Sequence, residues 1–419
     1  MKWKKKDYIK ILQDVIQIES ENGNEEQVAN YYRDLLAKYG IPAKLVAYSE
    51  GRSSLISEIS NGSGPVLALS GHMDVVSAGN ADEWIHPPFS AHIENDVIWG
   101  RGSSDMKAGL TALVIAFIEI YQSKQFKGTL KLIATVGEEV GELGSTQLTD
   151  LGYLNDVEAI IIGEPCNIGV VYGHKGSLNY KVTSRGTAAH SSTPELGNNA
   201  IDHLLVAMTE ISERISRKSE KIVNDVLGQT FHNITLVTGG SQVNSIPEYA
   251  SFEANARTIP EFDNQDLMEE VFSVIQELNS KNGFYLEATI TADQPPVQTN
   301  PKSGLIETIT EVANTVSTLN PQYLIRQMNS VLDKDEQINF EDFTGLNQVK
   351  PMVVSGTTDA AQFIRANNDL DVAVYGPGMP TLNHKINERL PLEQYLDFIE
   401  AYKSIISAYL MGGKSKVTK

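Results

Sequence analysis

Residues 66–74 have the sequence Val66-Leu-Ala-Leu-Ser-Gly-His72-Met-Asp74, a short apolar run that leads into a glycine, a histidine and an aspartate. Comparable apolar runs next to glycine occur at Thr129–Val136, Ala159–Ile162 and Val372–Tyr375. Runs of this length and composition are typical of strands buried on both faces of a parallel sheet. Helical patterns separate them, most clearly at Met106–Tyr121. This alternation predicts an α/β fold, an open sheet covered by helices on both sides.

The order of elements changes between Gly176 and Ala292. The pattern there predicts a strand, a helix, two strands, a helix and a strand, in turn Ser177–Ser184, Asn198–Arg217, Phe231–Val237, Ser251–Thr258, Asp266–Leu278 and Phe284–Ile290. The β-α-β-β-α-β order is ferredoxin-like. The proline-containing stretch Gln294–Asn300 then predicts a stiff connector. We therefore expect a small domain, residues 176–292, inserted into a larger α/β domain formed by residues 1–175 and 293–419.

Composition restricts the partners and the compartment. The 419 residues include 34 Lys+Arg and 53 Asp+Glu, a net charge of −19, which argues against nucleic-acid or anionic-membrane partners. The single cysteine, Cys166, can form neither an internal disulfide nor a thiolate zinc site and fits a reducing cytoplasm. The most apolar run, Leu110–Ile120, is too short to cross a bilayer, and the amphipathic N-terminal segment does not resemble a signal peptide. We expect a cytoplasmic protein whose last residues, Gly412–Lys419, are disordered.

Several common catalytic motifs are missing from the sequence. The dinucleotide fingerprint Gly-x-Gly-x-x-Gly, the Gly-x-Ser-x-Gly elbow and the zinc-protease motif His-Glu-x-x-His are all absent. These absences argue against dinucleotide binding through that fingerprint, against a serine hydrolase with that nucleophile elbow and against a protease with a single zinc ion.

Histidines and carboxylates follow the predicted strands in five separate segments. These segments are Ser70-Gly-His72-Met-Asp74, Gly102-Ser-Ser-Asp105, Gly137-Glu138-Glu139, Gly163-Glu164-Pro165 and Leu382-Asn-His384. In open α/β sheets ligands bind at the carboxyl ends of the strands, so the topology can bring all five segments together. Imidazoles and carboxylates without a thiolate suit a divalent metal of borderline hardness. These histidines and carboxylates are also numerous enough to bind two ions about 3.5–4 Å apart that share a bridging carboxylate.

Spacing suggests roles for three of these residues. Asp74 lies two residues after His72, so on an extended chain it points to the same side and could accept the second imidazole N–H. Glu138 and Glu139 are adjacent and would point apart. One of them could bind metal while the other acts as the general base.

These motifs, from Ser70 through His384-Lys-Ile-Asn-Glu388, closely resemble a family of di-zinc amidohydrolases. The family includes succinyl-diaminopimelate desuccinylase, acetylornithine deacetylase, aminoacylase and related carboxypeptidases and dipeptidases. The resemblance implies a zinc-peptidase-like fold and two Zn2+ per subunit, with Co2+ or Mn2+ as substitutes. It implies that His72, Asp105 and Glu164 hold one ion and that Asp105, Glu139 and His384 hold the other. Asp105 would bridge, Glu138 would be the general base and acid, and Asp74 would orient His72.

The resemblance also assigns residues of the inserted domain, which would be a lid and the contact of a homodimer. His190 matches a histidine that helps to stabilise the oxyanion, supplied by the partner subunit in dimeric members. Asn244 and Arg257 match contacts to the carboxylate end of the substrate, and Ser355, Gly356 and Thr357 lie in a loop that touches substrate. Two departures stand out. Ser355 occupies a position where the family often has a second glycine, and residues 323–350, with the acidic run Asp333–Glu341, exceed the length of compact relatives.

Each residue also has a purely structural interpretation. A lone histidine such as His72 or His384 would more often be structural, and a Glu-Glu pair usually lies on the solvated surface. His190 could cap the turn before Pro194. Arg257 could form a surface ion pair with Glu253 along one strand. The remaining histidines are interpreted as structural or exposed and Cys166 as an inert buried thiol; these histidines are His86, His92, His174, His203 and His232.

The predicted function is hydrolysis of the amide bond of an N-acyl amino acid by a zinc-activated water, of the succinyl-diaminopimelate desuccinylase or acetylornithine deacetylase type. The alternative is a cytoplasmic di- or tripeptidase or carboxypeptidase of the same family. A non-catalytic metal- or ligand-binding module is a further alternative. Such a module would be expected to have lost a ligand or the base, and neither is missing here.

Overall fold

The computed structural model describes residues 3–339, 346–367 and 369–412. The chain forms two compact units. The first comprises the described residues of Met1–Gly173, Thr299–Met352 and Thr358–Lys419, and the second comprises His174–Gln298 and Val353–Thr357. The short segment Val353–Thr357 therefore belongs to the same unit as residues 174–298, an association that no local sequence pattern indicated.

The helices and strands are numbered in chain order. The α-helices are Lys5–Ile16 (α1), Glu25–Ala37 (α2), Lys107–Ser123 (α3), Leu143–Asp150 (α4), Ala200–Ser219 (α5), Asn264–Asn279 (α6), Gly304–Thr315 (α7), Pro321–Val331 (α8), Ala360–Phe363 (α9) and Leu392–Gly412 (α10). The strands are Ala43–Ser49 (β1), Arg52–Asn61 (β2), Val66–His72 (β3), His92–Glu94 (β4), Val97–Trp99 (β5), Gly128–Thr135 (β6), Ala159–Ile162 (β7), Cys166–His174 (β8), Ser177–Arg185 (β9), Ala189–His190 (β10), Phe231–Gly239 (β11), Ser245–Ile246 (β12), Tyr249–Arg257 (β13), Leu286–Gln294 (β14), Val297–Gln298 (β15), Pro351–Val354 (β16), Asp371–Gly376 (β17) and Arg389–Pro391 (β18).

The first unit is built on a mixed sheet in which neighbouring strands follow the order β1-β2-β6-β3-β7-β17-β8. Strand β3 is parallel to β6 and β7, and β17 is parallel to β7, whereas β2 is antiparallel to β6. The four apolar runs interpreted as buried parallel strands are these central strands, so the predicted mixed α/β fold is confirmed. Because β3, β6, β7 and β17 are parallel, their carboxyl ends lie along one edge of the sheet, where the predicted site residues follow.

Helix α3 lies against the central strands and is buried along most of its length. Its approach to the sheet is set by two glycines. A Cβ atom at Gly109 would lie 1.8 Å from the carbonyl oxygen of Gly163, the residue before Glu164. Only a residue without a side chain lets the two backbones come this close. The helix therefore supports the turn that carries Glu164.

We expect Gly109→Ala to lower the stability of the protein and to weaken metal binding. The new methyl group would overlap the backbone of Gly163, and overpacking of this kind costs roughly 1–3 kcal/mol or more. Denaturant unfolding of the metal-free protein measures the first effect, and metal content after dialysis measures the second. Gly23→Ala is the control, since a Cβ there would have its nearest neighbour, the carbonyl oxygen of Glu21, at 3.9 Å, an ordinary van der Waals contact. Equal unfolding midpoints for the two variants would contradict this account.

The second unit follows the chain order β9-α5-β11-β13-α6-β14. Its antiparallel sheet has the strand order β11-β13-β9-β14, the order expected of a ferredoxin-like unit. The helices cover the sheet with a core that includes Tyr180, Ile211, Phe252 and Val271. A further pair of two-residue strands, β10 and β12, was not predicted from the sequence.

Three smaller expectations concern the ends and connections of these units. Strand β15 lies inside the stretch predicted as a stiff connector. Helix α10 ends at Gly412, and residues 413–419, predicted to be disordered, lie outside the described residues. Among the helices of the described residues, none combines the length and the apolar character needed to span a membrane.

Candidate metal centre

His72 is the last residue of β3 and is almost fully buried. Its Nδ1 lies 2.9 Å from the main-chain carbonyl oxygen of Asp74, and 3.6 Å from the nearer carboxylate oxygen of that residue. A carbonyl oxygen can only accept, so this contact puts an imidazole proton on Nδ1 and leaves Nε2 as the candidate ligand atom. The orienting contact thus comes from the main chain of the residue whose side chain was predicted to supply it.

The carboxylate of Asp74 instead holds the turn after β6. Its two oxygens accept the main-chain N–H groups of Glu138 and Glu139, each at 3.1 Å. Gly137 begins this turn with a φ of 64°, a left-handed conformation that glycine adopts without strain. Asp74 is therefore a link between the end of β3 and the Glu138-Glu139 pair.

Two histidines and three carboxylates converge at this edge of the sheet. His72 Nε2 lies 3.2 Å from Asp105 Oδ1 and 3.4 Å from Glu164 Oε1. His384 Nε2 lies 3.0 Å from Glu139 Oε2 and 3.5 Å from Asp105 Oδ2. The two oxygens of Asp105 thus face different histidines, which is the arrangement of a bridging ligand.

The spacing of these atoms fits divalent metal. Zinc-to-ligand distances of about 2.0–2.1 Å place neighbouring ligands of a tetrahedral ion roughly 3.3 Å apart, in the middle of the observed range. Ligand atoms also lie within 4.8 Å of one another in two overlapping groups, one formed by His72, Asp105 and Glu139, the other by His72, Glu138 and Glu164. The chemistry and the spacing of the donors both fit divalent metal. The first group joins Glu139 to His72, whereas the resemblance pairs Glu139 with His384.

The electrostatics indicate that bound protons offset the negative charge of the cluster when metal is absent. Burial, reinforced by neighbouring carboxylates, raises the pKa of Glu138 and of Glu164 well above the usual range. Burial would also raise the pKa of Asp105, but hydrogen bonds from His384 and His72 hold it below its ordinary value. Hydrogen bonds to Asp105 and Glu139 raise the pKa of His384 to about 10. In the metal-free protein, protons bound to these side chains therefore balance the charge that metal cations would otherwise balance.

We expect metal binding to release protons at neutral pH and to strengthen as the pH rises. His384, with a pKa of about 10 in the metal-free protein, is protonated at neutrality, and an imidazole must lose that proton to become a ligand. Protons thus compete with metal, and the competition fades as the pH approaches 10. Calorimetric titration of metal-free protein in buffers of different ionisation enthalpy measures the release. His384→Gln should release fewer protons, and identical heats in all buffers would contradict the expectation.

Glu388 holds the loop that carries Asp105, a role that the sequence analysis missed. It is fully buried and accepts the main-chain N–H groups of Gly102 at 3.1 Å, Ser104 at 2.7 Å and Asp105 at 3.0 Å. Arg101, also buried, donates from Nη1 to the same carboxylate at 2.7 Å. The only sequence signal was its place four residues after His384, at the end of the motif.

The structure partly explains residues 323–350, the segment that exceeds the length of compact relatives. Residues 323–331 complete α8, and the nearly buried Arg389 donates to Glu336 at 2.9 Å and to the carbonyl of Val331 at 2.8 Å. Part of the acidic run is thus neutralised next to β18; its last two residues, Phe340 and Glu341, lie outside the described residues.

Asp359 is another buried carboxylate that local patterns did not single out. Its Oδ2 accepts a hydrogen bond from Thr135 Oγ1 at 2.6 Å, at the end of β6 and three residues before Glu138. Burial raises the pKa of Asp359 to about 6. It joins the start of α9 to the strand that leads into the Glu138-Glu139 turn.

The other predicted site residues belong to the second unit. His190 lies on β10, and its Nδ1 is 2.7 Å from Ser192 Oγ. The adjacent Ser191 donates its N–H to the carbonyl of Asn244 at 3.0 Å.

Arg257 is the last residue of β13. Glu253, its predicted structural partner, instead forms an ion pair with Lys181 at 3.5 Å. Ser355, Gly356 and Thr357 precede α9, the first two exposed.

Three residues interpreted as structural have contacts of that kind. His232 Nε2 lies 2.6 Å from the hydroxyl of Tyr180, and His203 stacks on Phe284 with ring centroids 4.2 Å apart. Cys166 contacts the carbonyl of Gly169, and burial raises the pKa of its thiol to about 12, which makes it unreactive at neutral pH.

Comparison with known proteins adds independent information. The model of peptidase family M20/M25/M40 matches residues 68–331. A probable succinyl-diaminopimelate desuccinylase from Staphylococcus aureus is 38% identical over 430 aligned residues, which cover 97% of this chain and 98% of the relative. An M20 family metallo-carboxypeptidase from Sulfolobus solfataricus superposes with a TM-score of 0.73 at 19% identity, covering 97% and 99% of the two chains. A dinuclear metal-binding peptidase of the M20 family from Bacillus subtilis superposes with a TM-score of 0.65 at 16% identity, covering 97% and 99%.

Proposed function

This chain belongs to peptidase family M20/M25/M40 and is a metal-dependent hydrolase of amide bonds, and we propose that its substrate is an N-acyl amino acid, with N-succinyl-diaminopimelate the first candidate. The observation that carries the proposal is the position of Asp105 between two histidine–carboxylate pairs, next to the partly buried Glu138. The similarity to a probable desuccinylase over nearly the full length of both chains supports the choice of acyl group.

Two zinc ions are the proposed cofactors, with Co2+ or Mn2+ as substitutes. His72 and Glu164 would hold one ion, Glu139 and His384 the other, and Asp105 would bridge. The mixed nitrogen and oxygen donor set, without a thiolate, supports an ion of borderline hardness. When bound, two such ions supply Lewis-acid chemistry, because they make water more acidic and polarise the amide carbonyl.

The residues of the chain would move the protons. Burial raises the pKa of Glu138, so its carboxylate is a stronger base than an exposed one. Glu138 would accept a proton from the attacking water and then donate it to the nitrogen of the leaving amine. Asp74, through its bonds to the main chain of Glu138 and Glu139, would keep that carboxylate at a fixed position.

Residues of the second unit are proposed to complete the site. His190 would donate a hydrogen bond to the developing oxyanion. Asn244 and Arg257 would contact the carboxylate end of the substrate, and the loop Ser355-Gly356-Thr357 would also touch the substrate. We also propose that residues 176–292 form a lid and the contact of a homodimer, and that the protein acts in the cytoplasm. The family resemblance supports these assignments.

A peptidase is the second candidate function. The metallo-carboxypeptidase from S. solfataricus shares the fold, and a di- or tripeptide also presents a terminal carboxylate that Arg257 could bind. A non-catalytic module is less well supported, because every candidate ligand and the candidate base are present.

The test is the release of primary amine from three compounds by zinc-loaded protein. N-succinyl-diaminopimelate, N-acetylornithine and a simple dipeptide are assayed in parallel, each with a chelator-treated control. We expect chelator-sensitive turnover with a clear preference for the succinyl compound. Preference for the dipeptide would replace the proposal by the peptidase alternative, and inactivity on all three with zinc bound would contradict both.

A further inference from the structure

A second group of metal-ligand side chains lies outside the centre described above. His86, His92 and Glu94 offer ligand atoms that all lie within 4.8 Å of one another. None of the three is a candidate ligand of the Asp105 centre, and the two histidines were interpreted from the sequence as structural or exposed.

Strand geometry brings two of the three together. His92 and Glu94 are the first and last residues of β4, and residues two apart on a strand point to the same side. Strand β4 pairs with β5 at the edge of the small sheet β18-β5-β4, where His92 lies opposite Trp99. The pair therefore faces one side of an edge strand, where an ion could approach.

The third ligand comes from the preceding loop. The His86 ring stacks on the His92 ring, with centroids 3.9 Å apart and planes inclined by 28°. Two imidazoles on one tetrahedral zinc have centroids roughly 5 Å apart, so one of the two side chains must rotate out of this stack for both to bind the same ion. The His86 ring also meets the ring of Trp99 edge-on, with centroids 5.3 Å apart. His86 Nε2 lies 3.4 Å from Glu94 Oε2, close to the roughly 3.3 Å expected between two ligands of tetrahedral zinc.

The loop around His86 is held on both sides. The N–H of Ile85 donates to the side-chain oxygen of Asn387 at 2.7 Å. Pro87 and Pro88 follow His86, each with a fixed φ, and the carbonyl of Pro88 accepts the N–H of Arg101 at 2.8 Å. Because the loop is already held in place, binding an ion there would cost little backbone entropy.

We propose that His86, His92 and Glu94 form a peripheral site for Zn2+ or a similar divalent transition metal ion, separate from the candidate hydrolytic centre. Two imidazoles and one carboxylate are typical zinc ligands, and water would complete the coordination. The His86 side chain is 19% exposed and that of Glu94 55% exposed, so an ion can reach the site.

Zinc stoichiometry tests the proposal. Wild-type protein, His92→Gln and Glu94→Gln are dialysed against solutions of increasing free zinc, and bound metal is measured by elemental analysis. We expect wild type to bind one more zinc per chain than either variant at saturation. His203→Gln, a partly buried histidine stacked on Phe284, is the matched control and should bind as wild type does.

Tryptophan fluorescence gives a local readout with Cu2+ as the probe. Bound Cu2+ would quench Trp99, whose ring contacts that of His86. Wild type should show a quenching phase that His92→Gln and Glu94→Gln lack and His203→Gln retains. Equal zinc content and equal quenching in all four proteins would overturn the proposal and leave the stacked histidines as a packing contact. Because each readout is a difference between variants, the result does not depend on the substrate or activity of the main centre.

Discussion

Glu138→Gln is expected to retain bound metal and to lose roughly 10²–10⁴-fold in kcat, the range typical for removal of a general base. Glutamine keeps the size of the side chain and cannot accept the proton of the attacking water. The main-chain N–H of residue 138 still donates to Asp74, so the turn should keep its position. KM should change little, because proton transfer rather than substrate binding is affected.

The measurement is steady-state hydrolysis of the preferred substrate, together with the metal content of the same preparation. Glu158→Gln is the matched control, since it removes the same charge from an exposed position just before β7. Near-normal turnover of Glu138→Gln would show that another group takes the proton. Loss of metal from the variant would instead make Glu138 a ligand.

Glu388→Gln is expected to lower both the stability of the protein and its affinity for metal. The new amide would place an N–H₂ group against donors that now bind a carboxylate, and the buried Arg101 would lose its counter-charge. Breaking a buried ion pair on one side costs roughly 3–5 kcal/mol. Because two of the bonds hold the main chain of Ser104 and Asp105, metal affinity should fall by roughly 10–100-fold, as for other residues that orient ligands.

Denaturant unfolding of the metal-free protein and competition with a chelator measure the two effects. Glu393→Gln is the control, because Glu393 is also a hydrogen-bond acceptor but its contacts with Tyr323 and Gln327 are exposed to solvent. If Glu388→Gln unfolded and bound metal as the control does, Glu388 would have no part in positioning Asp105.

Local sequence patterns were sufficient to predict the central strands of the fold. A strand buried on both faces is apolar along most of its length, so β3, β6, β7 and β17 could be recognised from their apolar runs. The ferredoxin-like order of the second unit was also visible, since its strands alternate and its helices have one apolar face. The association of Val353–Thr357 with that unit was not visible, because it depends on contacts between segments far apart in the chain.

The candidate ligands could be predicted for a related reason. Parallel strands align their carboxyl ends, so His72, the last residue of β3, and Glu164, which follows β7, approach one another whatever the intervening sequence. The structure brings His72, Asp105, Glu139, Glu164 and His384 to one edge of the sheet; their roles as ligands stay a prediction until metal is measured.

Sequence alone therefore determined the four central strands of the sheet and the donor residues near their ends, because both depend on short-range patterns. Tertiary structure alone decided what holds those donors in place. The main-chain carbonyl of Asp74 orients His72, the Asp74 carboxylate holds the Glu138-Glu139 turn, and Glu388 binds the Asp105 loop. The last contact joins residues 283 positions apart. Hydrogen bonds over such separations arise only when the folded chain brings the two groups together, and they leave no periodic signal in the sequence.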